Sequence, residues 1–484
     1  MNNNRVVVLI PIESYAREFD GRLLLAASLA ERGFFVIMGD HIFIRYVTYL
    51  ISNGIYIGKN MYMYPAPFGK KVKNYFGRLV SDIWYYKILK KRGYSTIHLE
   101  EEGGFFSNKF DLMYDFLDSR LSVGILKEDD YIATWGEIQK NHYKQKGADF
   151  PNNIIATGNP RFDVYKKKYR KYYQHESDKL IKSFGSYILI NTNYSLSNYS
   201  MREKGMFRES SIYSAKDDKL KMLGVGRWHE QAIRFSNLIA LIFELSVNLK
   251  NETFVIRAHP SEREDTYKEI FKGIKNIVVA REGSVGPWIN GCKVLLHDGC
   301  TTGLEAALLE KPIINYNSFD SQMNNNELLS EIGMQATNPK EVIDTIIKLN
   351  TTSQGPSTYE REILKMTSIL LNCDIEGKKY STKILTNLIC DLRKRHAKEK
   401  SRFANHIVIR LIYAFYSFTN ILRFVVLSIY DGNLFRHKNR KSVGYGISRK
   451  DFKDKVCAID SINSSSTKVK YISRRCFTFQ QEKQ

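Results

Sequence analysis

"LLHDGCTTGLEAALLEKPIIN", residues 295–315, holds an apolar run, a glycine-rich turn, a helical segment and a second apolar run in immediate succession. The first run stops at His297-Asp298. Gly299-Cys300-Thr301-Thr302-Gly303 then leads into an Ala/Leu-rich stretch that ends at Lys311-Pro312. Proline cannot continue a helix, so Ile313 begins the next strand. Strand, helix and strand at this spacing belong to a parallel sheet, and ligands of such sheets lie outside the carboxyl ends of the strands. The turn itself suits an anion. The first helical turn has free N–H groups and the positive end of the helix dipole. Thr301 and Thr302 can cap the helix or donate to a phosphate oxygen, while Gly299 and Gly303 let backbone approach a ligand. Glu305 follows within the helix. Asp298 repels a phosphate unless it meets a hydroxyl or a protonated partner. No GK[ST] sequence is present, so this is no Walker loop. An ordinary turn with threonine caps is the competing reading.

A second strand end of the same kind stands upstream, in "FVIRAHPSE", residues 254–262. Arg257 suits bidentate phosphate recognition, His259 can donate from its ring, and Pro260 fixes the turn. These segments sit in a series of apolar runs that continues through "SYILINTNYS" and "NIVVARE", with a long helical stretch near 227–249. A matching series precedes it: "RVVVLIPIE", "FFVIMGD", "YSTIHLEEEGG", "DYIATWG" and "NNIIATGNPRFD". Between the first two lies "GRLLLAASLAERG", a helix expected to stop at Gly33. The reading is α/β: a Rossmann-like lobe over 1–170 and a second over 180–370, facing a cleft. The stretch "VYKKKYRKYYQHESDKL" between them, with no wide apolar face, reads as a solvated helix or linker.

The first lobe carries acids where its strands end. Glu100, Glu101 and Glu102 precede Gly103-Gly104, and alternation along a strand turns at least one of them to the cleft as base or nucleophile. Glu13 and Arg17 follow the first strand, and Asn159 and Arg161 lie near the lobe junction. No aspartate pair of the kind that holds a divalent ion on a sugar nucleotide appears, so neither a metal nor a cofactor is expected.

The chain has 484 residues, 43% of them hydrophobic and 13% aromatic, enough for two or three packed domains. Lys and Arg exceed Asp and Glu by 73 to 51, a formal +22, which favours polyanionic partners. No nucleic-acid recognition motif accompanies the charge. The six cysteines show no close CxxC pairing, which fits a reducing compartment and excludes a disulfide scaffold. The first apolar run is too short for a signal peptide. The extension 371–484 reads as basic and membrane-associating, with a poorly ordered tail. Its densely basic run 393–402 precedes "HIVIRLIYAFYSFTNILRFVVLSIY", residues 406–430. Two arginines, at about 2.5–3.5 kcal/mol each near a bilayer centre, favour a helix lying in the interface over one that spans. A buried helix pair is the alternative.

Together, "PIESYAREFDGRLLLAASLAERGFFVIMG", "EEEGG", "TGNPRFD", "RAHP" and "HDGCTTGLEAALLEKPII" resemble the bacterial surface carbohydrate biosynthesis proteins related to the capsule Kdo transferases and, more distantly, to the CDP-glycerol glycerophosphotransferases. The motifs keep their order over about residues 5–370. The resemblance implies a GT-B fold and an activated cytidine nucleotide bound mainly by the second lobe, at His259-Pro260 and Thr301-Thr302. Kdo transferases carry Glu-Asp-Gly where this chain has Glu101-Glu102-Gly103, which implies a catalytic role for Glu102. The expected activity is metal-independent glycosyl transfer in capsule or lipopolysaccharide synthesis, from a nucleotide sugar, CMP-linked, to a glycan or lipid-linked acceptor. The expected location is cytoplasmic, peripheral on the inner membrane through 393–430. Polyol-phosphate transfer from a CDP-alcohol and a non-catalytic scaffold that binds glycan or lipid carrier are the other readings.

Overall fold

The five apolar runs of the first series become strands of one sheet, and a sixth strand, Gly54–Gly58, joins them. The computed structural model describes residues 5–59, 82–99, 101, 114, 117–118, 121, 123–199, 207, 218–319, 327–351, 379–396, 406–430, 447–473 and 475–481. Two compact units emerge: one holds the described residues up to 101, those from 114 to 164 and those from 379 onward; the other holds those from 165 to 351.

In the first unit, β1 (Val7–Ile12), β2 (Phe35–Asp40), β3 (Gly54–Gly58), β4 (Tyr94–Leu99), β5 (Asp130–Thr134) and β6 (Ile154–Ala156) are all parallel, in the order β2-β1-β3-β4-β5-β6. β1, β2, β3 and β4 are buried along their whole length. That is why they read as unbroken apolar runs rather than alternating ones. Helix α1 (Tyr15–Glu31) follows β1 and ends as expected at Gly33, whose φ of +83° favours glycine. At Gly21, a Cβ would lie 2.5 Å from the Arg161 backbone nitrogen, so α1 approaches the 159–163 turn more closely than a side chain allows. Helix α2 (His41–Leu50) is capped by Asp40, which accepts from the N–H groups of Ile42 and Phe43.

In the second unit, β7 (Tyr187–Asn191), β8 (Thr253–Arg257), β9 (Ile277–Val279), β10 (Val294–His297), β11 (Ile313–Tyr316) and β12 (Met334–Ala336) are again all parallel. Their order is β9-β8-β7-β10-β11-β12. The chain starts at β7, winds outward to β9, then crosses back and winds the other way. This is the Rossmann order, and it places a topological switch point between β7 and β10. The long helix Asp218–Asn248 covers one face, with Leu238, Leu241, Ile242 and Leu245 packed on Ile188, Ile190, Phe254, Ile256, Val294 and Leu296. The chain therefore has the expected α/β class, with two Rossmann-like units.

Two segments differ from their sequence reading. The linker does have a buried face: Tyr165, Tyr169, Tyr172 and Tyr173 are all buried, and a Cβ at Gly286 would strike the Tyr173 ring. Tyrosine bulk at near-helical spacing supplied the packing that the flanking lysines disguised. The second is the tail. Helices Ser381–His396 and Arg449–Asn463 pack on α1, with Lys455 paired to Asp20 at 3.1 Å. β13 (Thr467–Ser473) and β14 (Cys476–Gln481) form a hairpin, and β14 pairs antiparallel with β2 from Cys476↔Gly39 to Phe479↔Val36. Its described part is thus ordered, and it extends the first sheet. The remaining helix, His406–Tyr430, buries Ile409, Ile412 and Tyr416 and packs on α2. No described helix is long and apolar enough to cross a membrane.

Candidate functional site

The carboxyl ends of β7, β8, β10 and β11 meet along one edge of the second sheet. Hydrogen bonds stitch the turns that follow them. Thr192 N–H donates to the Arg257 carbonyl at 3.3 Å, and the Thr192 hydroxyl accepts from His259 N–H at 3.1 Å. Tyr194 bridges the two sides of the switch point. Its N–H donates to Glu262 at 2.6 Å, and its hydroxyl donates to Asp298 at 2.7 Å. The His-Pro turn and the 298–303 turn are therefore tied to a single tyrosine. Asn315 at the end of β11 extends the chain of contacts by accepting from Gly299 N–H at 3.0 Å.

The acid at 298 has the protonated partner that its position demands. Arg234, from the long helix, donates through Nε to Asp298 Oδ2 at 2.9 Å and through a terminal nitrogen to Oδ1. With Tyr194 also donating, both carboxylate oxygens are satisfied in a buried setting. Bidentate pairing of this kind fixes the turn geometrically. Arg234 and Tyr194 went unnoticed in the sequence, because a lone arginine in a helix and a tyrosine after a strand carry no motif.

Gly299 has a φ of +60°, and a Cβ on Gly303 would lie 2.6 Å from the His297 ring. His297 is buried; its Nδ1 accepts from Cys300 N–H at 3.3 Å, and Nε2 meets the Ile332 carbonyl at 3.0 Å. That arrangement fixes a neutral ring with its proton on Nε2. Burial, opposed by the Ile332 carbonyl and Asp298, holds its pKa below the usual 6.5. The threonines differ from expectation. Thr301 stands at the N-cap without a side-chain capping bond, and the Thr302 hydroxyl pairs with the Cys300 thiol. Glu305 is buried in the short helix.

Arg257 also departs from its expected role. Its guanidinium turns inward, donating to the carbonyls of Glu282 at 3.1 Å and Gly283 at 2.7 Å, and it lies over the Trp288 ring. Burial, then the nearby Arg281, pushes its pKa down to about 10. It holds the loop after β9 rather than offering an outward fork. His259 and Pro260, by contrast, are exposed. The His259 Nδ1 accepts from Ser261 N–H at 3.2 Å, which leaves the neutral ring a donor at Nε2.

The end of β7 carries an unsatisfied amide. Asn191, the last residue of β7, is 5% exposed, and neither its amide nitrogen nor its amide oxygen has a hydrogen-bond partner among the described residues. Burying such a group unpaired costs roughly 1–3 kcal/mol, so native structures leave it so only for a reason.

The first unit has its own acidic edge. Glu101 is buried, with Oε1 2.8 Å from Arg22 and Oε2 accepting from Asn159 at 3.1 Å. Burial raises its pKa against the pull of Arg22. The Asn159 side-chain Oδ1 accepts from Arg161 N–H, and the Arg161 side chain is buried against Phe162. Glu101 is thus a structural ion pair and not an exposed base. Glu13 is half-exposed and pairs with Lys59 at 2.6 Å; Lys59 also reaches Glu18 at 3.2 Å, and Arg17 lies 3.9 Å from Glu18. No sequence motif points to Lys59 or Arg22. Glu102 lies outside the described residues.

No protein-family model matches the chain, and no curated protein does. Among solved structures, it is similar to the UDP-GlcNAc 2-epimerase of Methanocaldococcus jannaschii at 13% identity, covering 76% of this chain and 99% of that one, with a TM-score of 0.43. The wall teichoic acid polymerase TagF is similar at 12% identity, over 81% of this chain and 90% of that one, TM-score 0.42. The Neisseria meningitidis UDP-GlcNAc 2-epimerase, bound to UDP-GlcNAc, is similar at 12% identity over 80% and 100%, TM-score 0.41. Such values leave the roles of individual residues to the geometry of this chain.

Proposed function

We propose that the chain is a glycosyltransferase of surface polysaccharide synthesis that binds a nucleotide-activated donor at the β7/β10 switch point of its second unit. The observation that supports this reading most is the buried, unpaired amide of Asn191 at the position where Rossmann-ordered sheets take their ligands. A carboxamide offers two donors and an acceptor, which suits the edge of a pyrimidine or a ribose hydroxyl. His259 supplies an exposed donor on the same edge, and the Arg234–Asp298–Tyr194 group holds the neighbouring turn rigid. Preorganised donors of this kind stabilise the charge that develops on a departing nucleotide. Arg257 drops out as a direct phosphate contact, and Glu101 as the base. Glu102 remains the proposed catalytic nucleophile or base, on the strength of the family resemblance, and a CMP-linked sugar remains the proposed donor. Attachment to the inner membrane through 393–430 belongs to the same reading.

The test is thermal unfolding of the purified protein with CMP, CDP, UDP and GDP. A ligand at a hundred times its Kd stabilises by about 2.7 kcal/mol. A cytidine nucleotide should raise Tm most, and Asn191→Ala should reduce that rise while leaving the unliganded Tm unchanged or higher. If no nucleotide moves Tm, the donor site is not at this edge.

A further inference from the structure

Over residues 406–419, the helix His406–Tyr430 presents two faces of opposite fate. One face packs on α2: the Tyr413 and Tyr416 rings lie 5.3 Å and 5.7 Å from Phe43, and the Tyr416 hydroxyl donates to Asp40 at 3.2 Å. The other face is apolar and stands in solvent. Leu411, Phe415 and Phe418, at helical spacing, are 65%, 61% and 64% exposed, and Ile407 one turn earlier is 72% exposed. Phe415 adjoins Tyr46 of α2. The outer face of α2 continues the patch with Ile42, Tyr49 and Leu50, all exposed. Large side chains of two neighbouring helices thus form one apolar surface, where folded proteins ordinarily avoid such clustering.

The amino-terminal end of this surface is basic. The His406 ring bonds the Thr478 hydroxyl at 2.7 Å, and Lys470 lies directly across the hairpin from Thr478. Burial, then Lys470, with Arg410 and Lys468 adding, pushes the His406 pKa down to about 4. Three cations therefore gather where the helix begins. Arg393 and Arg395 of the preceding basic run are occupied elsewhere. Arg393 donates to the Arg32 carbonyl and lies over Phe34, and Arg395 pairs with Glu128 at 2.9 Å.

We infer that the exposed faces of this helix over 406–419 and of α2 form one monotopic docking surface for an anionic bilayer, with Leu411, Phe415 and Phe418 inserted among acyl chains and Arg410, Lys468 and Lys470 on the headgroups. This deepens the membrane attachment in the proposed function and does not depend on the transfer reaction. Apolar area with a basic margin matches the composition of an anionic membrane interface. A second copy of the chain fits less well, because it brings an identical cationic cluster on a molecule of net charge +22. The inner face of the helix, being packed on α2, holds it against the unit. The surface differs from the sequence expectation in its parts: α2 and the β13 lysines join it, and the described arginines of the 393–402 run do not.

The test is flotation of the full-length protein with vesicles of phosphatidylglycerol and phosphatidylcholine, and with phosphatidylcholine alone. The wild type should float with the anionic vesicles and less with the neutral ones. Leu411→Asp with Phe418→Asp should lower binding about tenfold or more, since each exposed side chain forfeits its transfer into hydrocarbon. Lys468→Glu with Lys470→Glu should lower binding to anionic vesicles alone. Both pairs lie at the surface, and an unchanged Tm shows that they fold. Flotation of the aspartate variant equal to wild type would overturn the inference. So would a wild-type dimer in light scattering that the aspartate pair converts to monomer with flotation unchanged. A nucleotide-induced Tm shift is recorded in parallel; its absence counts against the donor site and leaves the docking surface standing.

Discussion

Single residues on the second sheet's edge divide into those that hold the turns and those left to the proposed donor site. Arg257 belongs to the first group, so Arg257→Ala should strand the carbonyls of Glu282 and Gly283 and cost about 1–3 kcal/mol, read as a lower midpoint in urea. Nucleotide affinity, measured by calorimetry, should stay within a few-fold. Unchanged stability with lost affinity would return Arg257 to the ligand. His297 gives a pH signature. Its folded pKa lies below the usual 6.5, so the unfolded chain takes up the proton first as pH falls. Its contribution is complete above about 6.5 and is lost as pH falls below that value. The stability of the second unit should therefore decline on acidification, and His297→Gln should flatten that decline. An unaltered slope would show that the ring is protonated without penalty. His406 acts with the same sign in the first unit, so the two units must be followed separately.

At the scale of elements, the parallel strands were legible because burial on both faces makes them continuous apolar runs, as in "VVLIPI" and "YILIN". The strand-end turns were legible for the same reason, through the polar and glycine residues at which each run stops. The contacts between those turns were not. Tyr194 reaches Asp298 across 104 positions of sequence, and Arg234 reaches it from a helix whose apolar face looks like any other. The C-terminal hairpin is not legible, because the alternation of Lys468 and Lys470 with Val469 and Tyr471 along β13 resembles a basic tail. Phe477 and Phe479, by contrast, are fully buried, and Phe452 stacks on Phe477 at 4.3 Å. Removing residues after 446 should then uncover the β2 edge and the face of α1. An unpaired apolar edge promotes aggregation, so the shortened protein should precipitate on expression. A soluble product with the full-length far-ultraviolet spectrum would make the hairpin dispensable.

Across the whole molecule, chain connectivity sets the order in which the units can form. The second unit is continuous over its described residues, all of which lie between 165 and 351. The first is not: strands β1 to β6 are made early, but the edge strand β14 and the helices on α1 come from the last part of the chain. During synthesis the second unit can fold as soon as it emerges, whereas the first must wait with the β2 edge open and with Asp20 lacking Lys455. Residues 165–370 expressed alone should accordingly be soluble, unfold in one cooperative transition and retain the nucleotide-induced rise in Tm. Residues 1–164 alone should aggregate, because α1 and β2 each lack a covering partner. Co-expression with residues 371–484 should recover soluble material in which the two fragments purify together. Buried contacts such as Asp163 to the N–H groups of Ser381 and Thr382, at 3.2 Å and 2.7 Å, join the fragments without a covalent link. Asp163→Ala should weaken that complementation, by about 1–3 kcal/mol for the two buried N–H groups left unpaired. Soluble, cooperatively folded 1–164 would show instead that the returning segment decorates a unit already complete.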